Sequence, residues 1–187
     1  MENIIDRAII FATNAHSGTM RKGTTIPYIV HPMEAGAIAA GLTDDYEVIA
    51  AAILHDTLED TNTTFSSLKE AFGERVADLV AFESEDKQPE RPANATWRER
   101  KQATIDSLLT AEQEEMIIAF SDKLANLRAI YRDYLNLGNE LWNRFNQKDP
   151  KEHLWYYGSF LNTCKCLEPT AAYKEFKKLY EELSTMV

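Results

Sequence analysis

The chain has 187 residues, a formal net charge of −10 at pH 7 and a hydrophobic share of 44%. These values predict a single globular domain spanning residues 1–187, long enough to bury a core. The acidic composition argues against nucleic acid as a partner, because it offers no basic surface to displace counterions. No apolar run reaches membrane-spanning length and the N-terminus has no signal-peptide pattern, so we expect a cytoplasmic protein without membrane contact.

The first third of the sequence predicts two helices joined by a basic loop. Apolar residues recur at helical spacing over residues 3–16. The loop that follows carries Arg21 and Lys22 between two glycines, a pair that by itself is typical of a solvated loop. His31 precedes a proline that suits the first position of the next helix.

The stretch from residue 50 to residue 61, A-A-A-I-L-H-D-T-L-E-D-T, is predicted to lie on one long helix. Residues four apart share a helix face, so His55 should lie beside Glu59. Asp56 should lie beside Asp60 for the same reason. Three carboxylates within about one turn repel one another and favour a bound cation. A solvated helix end is the alternative, although the run before these residues is apolar enough to be buried.

The chain then predicts a long loop and further helices. Residues 83–95 are charged, hold two prolines and are expected to form a loop near the site. Thr96 and Glu99 predict a capping box for the following helix. A later helical pattern contains F-S-D-K-L-A-N-L-R, in which Asp122 and Asn126 share a face.

The C-terminal part predicts a helix with an aromatic cluster and a last helix over about residues 169–184. The cluster contains Tyr156 and Tyr157, and aromatic residues at this spacing are more often core than ligand platform. No segment predicts a convincing strand. The expected fold class is therefore all-α, a bundle of roughly eight or more helices with no significant sheet.

Four polar residues lack an easy structural role, namely His31, His55, Asp56 and Asp122. Two imidazoles and two carboxylates suit a catalytic divalent cation that keeps open positions for water and substrate. Two oxygen donors favour Mn²⁺ or Fe²⁺ over a structural Zn²⁺, and zinc stays possible. Such an ion lowers the pKa of bound water and polarises a phosphoryl oxygen.

These residues together resemble the HD-domain phosphohydrolase superfamily. The segments R-K-G-T-T-I-P-Y-I-V-H-P, H-D-T-L-E-D-T and D-K-L-A-N-L-R are similar to signatures of the RelA/SpoT-type hydrolase domain, and the length is similar to that of the small alarmone hydrolases. The resemblance covers roughly residues 5–160. It implies an HD-type helical bundle and a small-molecule nucleotide substrate. The implied reaction is hydrolysis of the 3′-pyrophosphate of (p)ppGpp, giving GDP or GTP plus pyrophosphate.

The resemblance also implies a role for individual residues. It implies that the metal, usually Mn²⁺ in this family, is held by His31, His55, Asp56 and Asp122. It implies that the attacking water is positioned or activated by Glu59 and Asp60. It further implies substrate contacts through Arg21, Lys22, Lys87, Asn126 and one of Tyr156 and Tyr157.

Two alternatives to this function stay open at the level of sequence. One is a related HD phosphohydrolase that acts on another nucleotide, such as a 2′- or 3′-phosphorylated dinucleotide cofactor. The other is a non-catalytic module that binds alarmone. The oligomeric state and the preference between bases are left open as well.

Overall fold

A computed structural model describes residues 3–85 and 90–187. The α-helices in these ranges are α1 (Ile4–Ala15), α2 (Val30–Ala40), α3 (Tyr46–Leu54), α4 (Thr57–Asp60), α5 (Phe65–Phe72), α6 (Glu74–Glu83), α7 (Trp97–Leu108), α8 (Gln113–Leu137), α9 (Pro150–Thr163) and α10 (Ala171–Met186). In the same residues the β-type pairing is limited to an isolated bridge between Met20 and Pro27. The prediction of an all-α fold is confirmed.

The chain forms two compact units, and helix α8 contributes residues to both. One comprises Met1–Ser84 with Glu112–Ala125, and the other comprises Glu85–Ala111 with Asn126–Val187. The expectation that residues 1–187 form a single domain stays a prediction. None of the described helices is both long and apolar enough to cross a membrane.

Helix α3 lies at the centre of the first unit. Its residues from Val48 to Leu54 are all buried, because the run is apolar on every side of the helix. It packs against α1, α2 and α6. The side chain of Asp45 caps its N-terminus by accepting hydrogen bonds from the backbone N–H groups of Glu47 and Val48.

Helices α2 and α3 approach each other closely at Gly36. A side chain at this position would overlap the side chain of Ile53. A residue without a Cβ therefore sets the spacing between the helix that carries His31 and the helix that leads to His55. This close contact fixes two imidazoles on neighbouring elements.

The long helix predicted through residues 50–61 is interrupted, and this prediction is wrong. Helix α3 ends at Leu54 and α4 begins at Thr57. The Thr57 hydroxyl donates to the Leu54 carbonyl at 2.7 Å, and His55 Nδ1 lies 2.7 Å from the Ala52 carbonyl. Side chains thus occupy carbonyls that a continuous helix would pair with backbone N–H groups.

The second unit contains α7, the later part of α8, α9 and α10, together with 3₁₀ segments at Gly138–Arg144 and Lys165–Leu167. Helix α9 packs against α7 and α10. The capping box predicted at the start of α7 is wrong. Thr96 precedes α7 without a capping hydrogen bond, and its hydroxyl accepts from Arg100 Nε instead. The Glu99 carboxylate accepts from Arg91.

Candidate metal centre

Four polar side chains converge in the first unit from three parts of the chain. His31 lies in the first turn of α2, while His55 and Asp56 form the interruption between α3 and α4. Asp122 lies in α8. Both histidines and Asp122 are at most 6% exposed. The turn between α3 and α4 separates His55 and Asp56 from the regular helix and places both beside His31.

The donor atoms of this cluster are spaced as ligands of one ion would be. His31 Nε2 lies 2.9 Å from Asp122 Oδ1 and 3.4 Å from Asp56 Oδ2. His55 Nε2 lies 3.0 Å from Asp56 Oδ2 and 3.4 Å from Asp122 Oδ1. An ion about 2.1 Å from each donor would have neighbouring donors about 3 Å apart. The residues present therefore fit a divalent metal, and His31, His55 and Asp122 could hold one.

The orientation of His55 supports the same conclusion. Its Nδ1 lies 2.7 Å from the Ala52 carbonyl, which can only accept, so Nδ1 carries the proton. Its Nε2 is buried and makes no hydrogen bond of good geometry, although two carboxylate oxygens lie close to it. A neutral ring would direct a lone pair at those oxygens, and a cation between them removes the repulsion. A carbonyl that orients the far side of a ligand histidine is typical of metal sites.

The charges of the site favour a cation. Burial opposes protonation of His55, but Asp56 and Asp122 outweigh it and raise the pKa of this imidazole well above its usual value. Burial likewise opposes ionisation of Asp56, yet His55 and His31 lower the pKa of that carboxyl well below its usual range. The two shifts favour ionised carboxylates and positive charge beside them. A metal ion would supply such positive charge.

A buried ion pair lies behind Asp122. Lys123 Nζ is 2.5 Å from Asp122 Oδ2 and 2.5 Å from Glu83 Oε1. Burial opposes ionisation of Asp122, but Lys123 and His55 lower its pKa well below the usual range. Burial raises the pKa of Glu83 against the effect of Lys123. Lys123 holds one oxygen of Asp122 and leaves the other to face the imidazoles.

Tyr28 links the metal centre to the basic loop. Its hydroxyl oxygen lies 2.7 Å from Asp56 Oδ2 and 2.8 Å from Asp60 Oδ2. The Arg21 guanidinium lies 5.4 Å from the centre of the Tyr28 ring. Burial and the two carboxylates raise the pKa of Tyr28, so its hydroxyl keeps its proton. The structure thus brings Arg21 and Asp60 together with the metal centre through Tyr28.

The remaining predicted site residues have different positions. Glu59 is half-buried in α4, and Lys22 is exposed in the basic loop. Asn126 and Tyr156 belong to the second unit, where Tyr156 is buried against Trp97. Lys87 lies outside the described residues. The predicted roles of these residues stay predictions.

Sequence reasoning missed three residues that contact the cluster, namely Tyr28, Glu83 and Lys123. Tyr28 stands three positions before His31, and Lys123 directly follows Asp122, so proximity to a candidate ligand was a usable signal for both. Glu83 gave no such signal, because its contact with Lys123 joins residues 40 positions apart.

Comparison with known proteins places the chain in a family. The model of the HD domain matches residues 8–148. The chain belongs to the HD-domain family. The HD-domain hydrolases are metal-dependent, which agrees with a buried His and Asp cluster in this member.

Relatives of this HD-domain protein include named hydrolases. A guanosine-3′,5′-bis(diphosphate) 3′-pyrophosphohydrolase of Aquifex aeolicus is 41% identical over 130 residues, which are 68% of this chain and 18% of that protein. The enzyme of the same name, MESH1, from Xenopus tropicalis is 35% identical over 133 residues, covering 69% of this chain and 70% of that one. The chain thus spans less than a fifth of the Aquifex protein and most of the Xenopus one.

Solved structures show the same fold. A structure described as a metazoan orthologue of SpoT that hydrolyses ppGpp has a TM-score of 0.78 at 21% identity, covering 97% of this chain and 96% of that one. A protein from Listeria monocytogenes EGD-e has a TM-score of 0.71 at 29% identity, covering 84% of this chain and 95% of that one. The helical arrangement is therefore that of the HD-domain fold over nearly the whole chain.

Proposed function

We propose that this chain is a metal-dependent hydrolase that removes the 3′-pyrophosphate from guanosine 3′,5′-bis(diphosphate). The products are GDP, or GTP from the corresponding pentaphosphate, plus pyrophosphate. The observation that carries this proposal is the buried set of two imidazoles and two carboxylates with donor atoms 2.9–3.4 Å apart. The names of the Aquifex and Xenopus relatives supply the substrate.

The metal ligands in this proposal are His31, His55, Asp56 and Asp122, and the metal is Mn²⁺. Two carboxylate oxygens in the set favour a hard, six-coordinate ion, for which Fe²⁺ is the closest substitute and Zn²⁺ is less suited. When bound, the ion supplies a lowered pKa for a water molecule and polarises a phosphoryl oxygen. Four protein ligands leave coordination positions for both.

The attacking water is oriented and deprotonated by Glu59 and Asp60. Asp60 lies next to the ligand set, because it shares the Tyr28 hydroxyl with Asp56. A carboxylate in this place can accept the proton of a water held against the reacting phosphorus. Glu59 lies one residue earlier in the same short helix.

In this proposal the basic loop supplies positive charge that holds the substrate, in a chain whose formal net charge is −10. The guanidinium of Arg21 lies over Tyr28, within the group of residues around the metal centre, and Lys22 is exposed beside it. Cations at these positions can neutralise the charge that develops on a pyrophosphate leaving group. Lys87, Asn126 and Tyr156 complete the substrate contacts in this proposal.

Product identification tests the proposal. The purified protein is incubated with ppGpp and Mn²⁺, and nucleotides are separated by anion exchange and identified by mass spectrometry. We expect GDP and pyrophosphate, no product after exhaustive chelation, and recovery when Mn²⁺ is restored. His55→Ala, as control, should fail to recover.

A nucleotide panel makes this test discriminating. Binding of ppGpp without turnover, or faster hydrolysis of a 2′- or 3′-phosphorylated cofactor, would contradict the proposed substrate. Full activity of the chelated protein would contradict the role of the metal.

A further inference from the structure

The Tyr28 hydroxyl is placed between two carboxylates of different roles. Its oxygen lies 2.7 Å from Asp56 Oδ2 and 2.8 Å from Asp60 Oδ2. A phenol carries one proton, so it can donate to only one of these oxygens at a time. Which carboxylate receives the hydrogen bond depends on what else binds the two oxygens.

Asp56 Oδ2 also lies close to both imidazoles. The same atom lies 3.0 Å from His55 Nε2 and 3.4 Å from His31 Nε2, on the side where the ligand atoms meet. A cation held by this oxygen competes with the phenol for it. The phenol proton is then left for Asp60.

Asp60 lies where a hydrogen bond can limit the motion of its carboxylate. It is the last residue of the four-residue helix α4, and it is exposed. A carboxylate in this setting would sample several rotamers, and ordering it costs conformational entropy. A hydrogen bond from a rigid donor reduces that freedom.

Tyr28 is a rigid donor because rings pack against it. The His16 ring stacks on it with centroids 4.7 Å apart and an interplanar angle of 28°. The His31 ring makes an edge-to-face contact with it, with centroids 6.0 Å apart. His16 is 3% exposed, and neither of its ring nitrogens has a hydrogen-bond partner among the described residues. Such burial is costly for an imidazole, and here its flat face packs against Tyr28.

We propose that Tyr28 is a positioning residue that holds the Asp60 carboxylate beside the metal centre. This inference rests on the hydrolase function proposed above and refines it. Asp60 acts on the water, Tyr28 fixes the direction of Asp60, and His16 fixes the ring of Tyr28. Loss of the Tyr28 hydroxyl should therefore impair turnover and leave metal binding in place.

Tyr28→Phe tests this arrangement, with Tyr131→Phe as the matched control. The Tyr131 hydroxyl also donates to a carboxylate, Glu182 Oε2 at 2.6 Å, in the second unit. For Tyr28→Phe we expect kcat to fall about tenfold or more, while KM and the dissociation constant for Mn²⁺ stay within about twofold. Tyr131→Phe should leave all three unchanged. An unchanged kcat, or loss of Mn²⁺ affinity in parallel with kcat, would overturn the proposal.

A double-mutant cycle with Asp60→Asn decides whether Tyr28 acts through Asp60. We expect Tyr28→Phe to change kcat by less than about twofold once Asp60 is Asn, because the two residues act as a unit. Additive losses would contradict this.

Crystal structures of the wild type and of Tyr28→Phe provide a readout without turnover: the Asp60 carboxylate should move while the four ligand side chains stay in place. If the wild type fails to hydrolyse ppGpp, the proposed function fails, and the structures still decide the position of Asp60.

Discussion

Side chains of the metal centre are oriented by groups that lie behind them. The Ala52 carbonyl accepts from the His55 ring, and Lys123 holds Asp122 Oδ2. These contacts fix the ring orientation of His55 and leave Asp122 Oδ1 facing the imidazoles. Precise placement of ligand atoms thus depends on residues that do not face the ion.

In the proposed function, Glu59 takes part in the chemistry and not in metal binding. Glu59→Gln keeps the shape and hydrogen-bonding capacity of the side chain and removes its charge. We expect this variant to bind Mn²⁺ and nucleotide as the wild type does, while kcat falls by about 100-fold or more, as for loss of a general base. His55→Ala should instead lose metal and activity together. Metal analysis and steady-state kinetics on both variants are the measurements.

Two outcomes would reverse this assignment. If Glu59→Gln loses Mn²⁺ as readily as His55→Ala does, Glu59 is a ligand. If Glu59→Gln is fully active, its carboxylate serves the structure of α4.

At the scale of elements, helix ends place three of the four proposed ligands, and Asp122 lies within the long helix α8. His31 lies in the first turn of α2, and His55 with Asp56 forms the turn between α3 and α4. The sequence pattern predicted the apolar run of α3 but not its end. Side-chain hydrogen bonds from Thr57 and His55 to nearby backbone carbonyls interrupt the helix. Hydrophobic periodicity carries no information about these hydrogen bonds.

Helix α9 of the second unit buries a histidine whose titration should affect stability. His153 is 5% exposed, and its ring centroid lies 4.9 Å from that of Trp142. Its Nε2 lies 2.9 Å from the Gln147 carbonyl oxygen. Burial lowers its pKa below the value in the unfolded chain. The unfolded state therefore binds more protons at mildly acidic pH, and stability must fall as pH decreases.

This linkage can be measured with one variant. Below pH 6.5, the free energy of unfolding of the wild type should fall relative to that of His153→Asn by up to about 1.4 kcal/mol per pH unit. Above pH 7.5 the difference between the free energies of unfolding of the wild type and His153→Asn should be constant. Urea unfolding between pH 5 and pH 8 is the measurement. Parallel curves over the whole range would show that His153 titrates alike in both states.

At the scale of the whole molecule, the sequence predicted what depends on local pattern. The all-α fold and membership of the HD-domain family are confirmed. The position of Tyr28 near His31 was a usable signal, but its bridge between Asp56 and Asp60 was not predictable, because these partners lie 28 and 32 residues away. The same holds for the contact of Glu83 with Lys123. Contacts between distant residues are set by packing, which a residue pattern alone does not specify.

The net charge of the molecule bears on how it can bind an anionic substrate. With a net charge of −10, the chain has little general attraction for a polyphosphate. Binding of such a substrate must therefore depend on local cations, which in this account are the metal ion and the basic residues near it. We propose that one ion is held by the two imidazoles and two carboxylates.

The most direct test of that claim is a crystal structure of the protein with Mn²⁺, with anomalous data collected above and below the manganese edge. We expect one edge-dependent peak per chain, about 2.0–2.3 Å from His31 Nε2, His55 Nε2, Asp56 Oδ2 and Asp122 Oδ1. The map of Glu59→Gln should contain the same peak. Absence of the peak at full Mn²⁺ loading, or a peak bound by Glu59 and Asp60 in place of the histidines, would contradict the account.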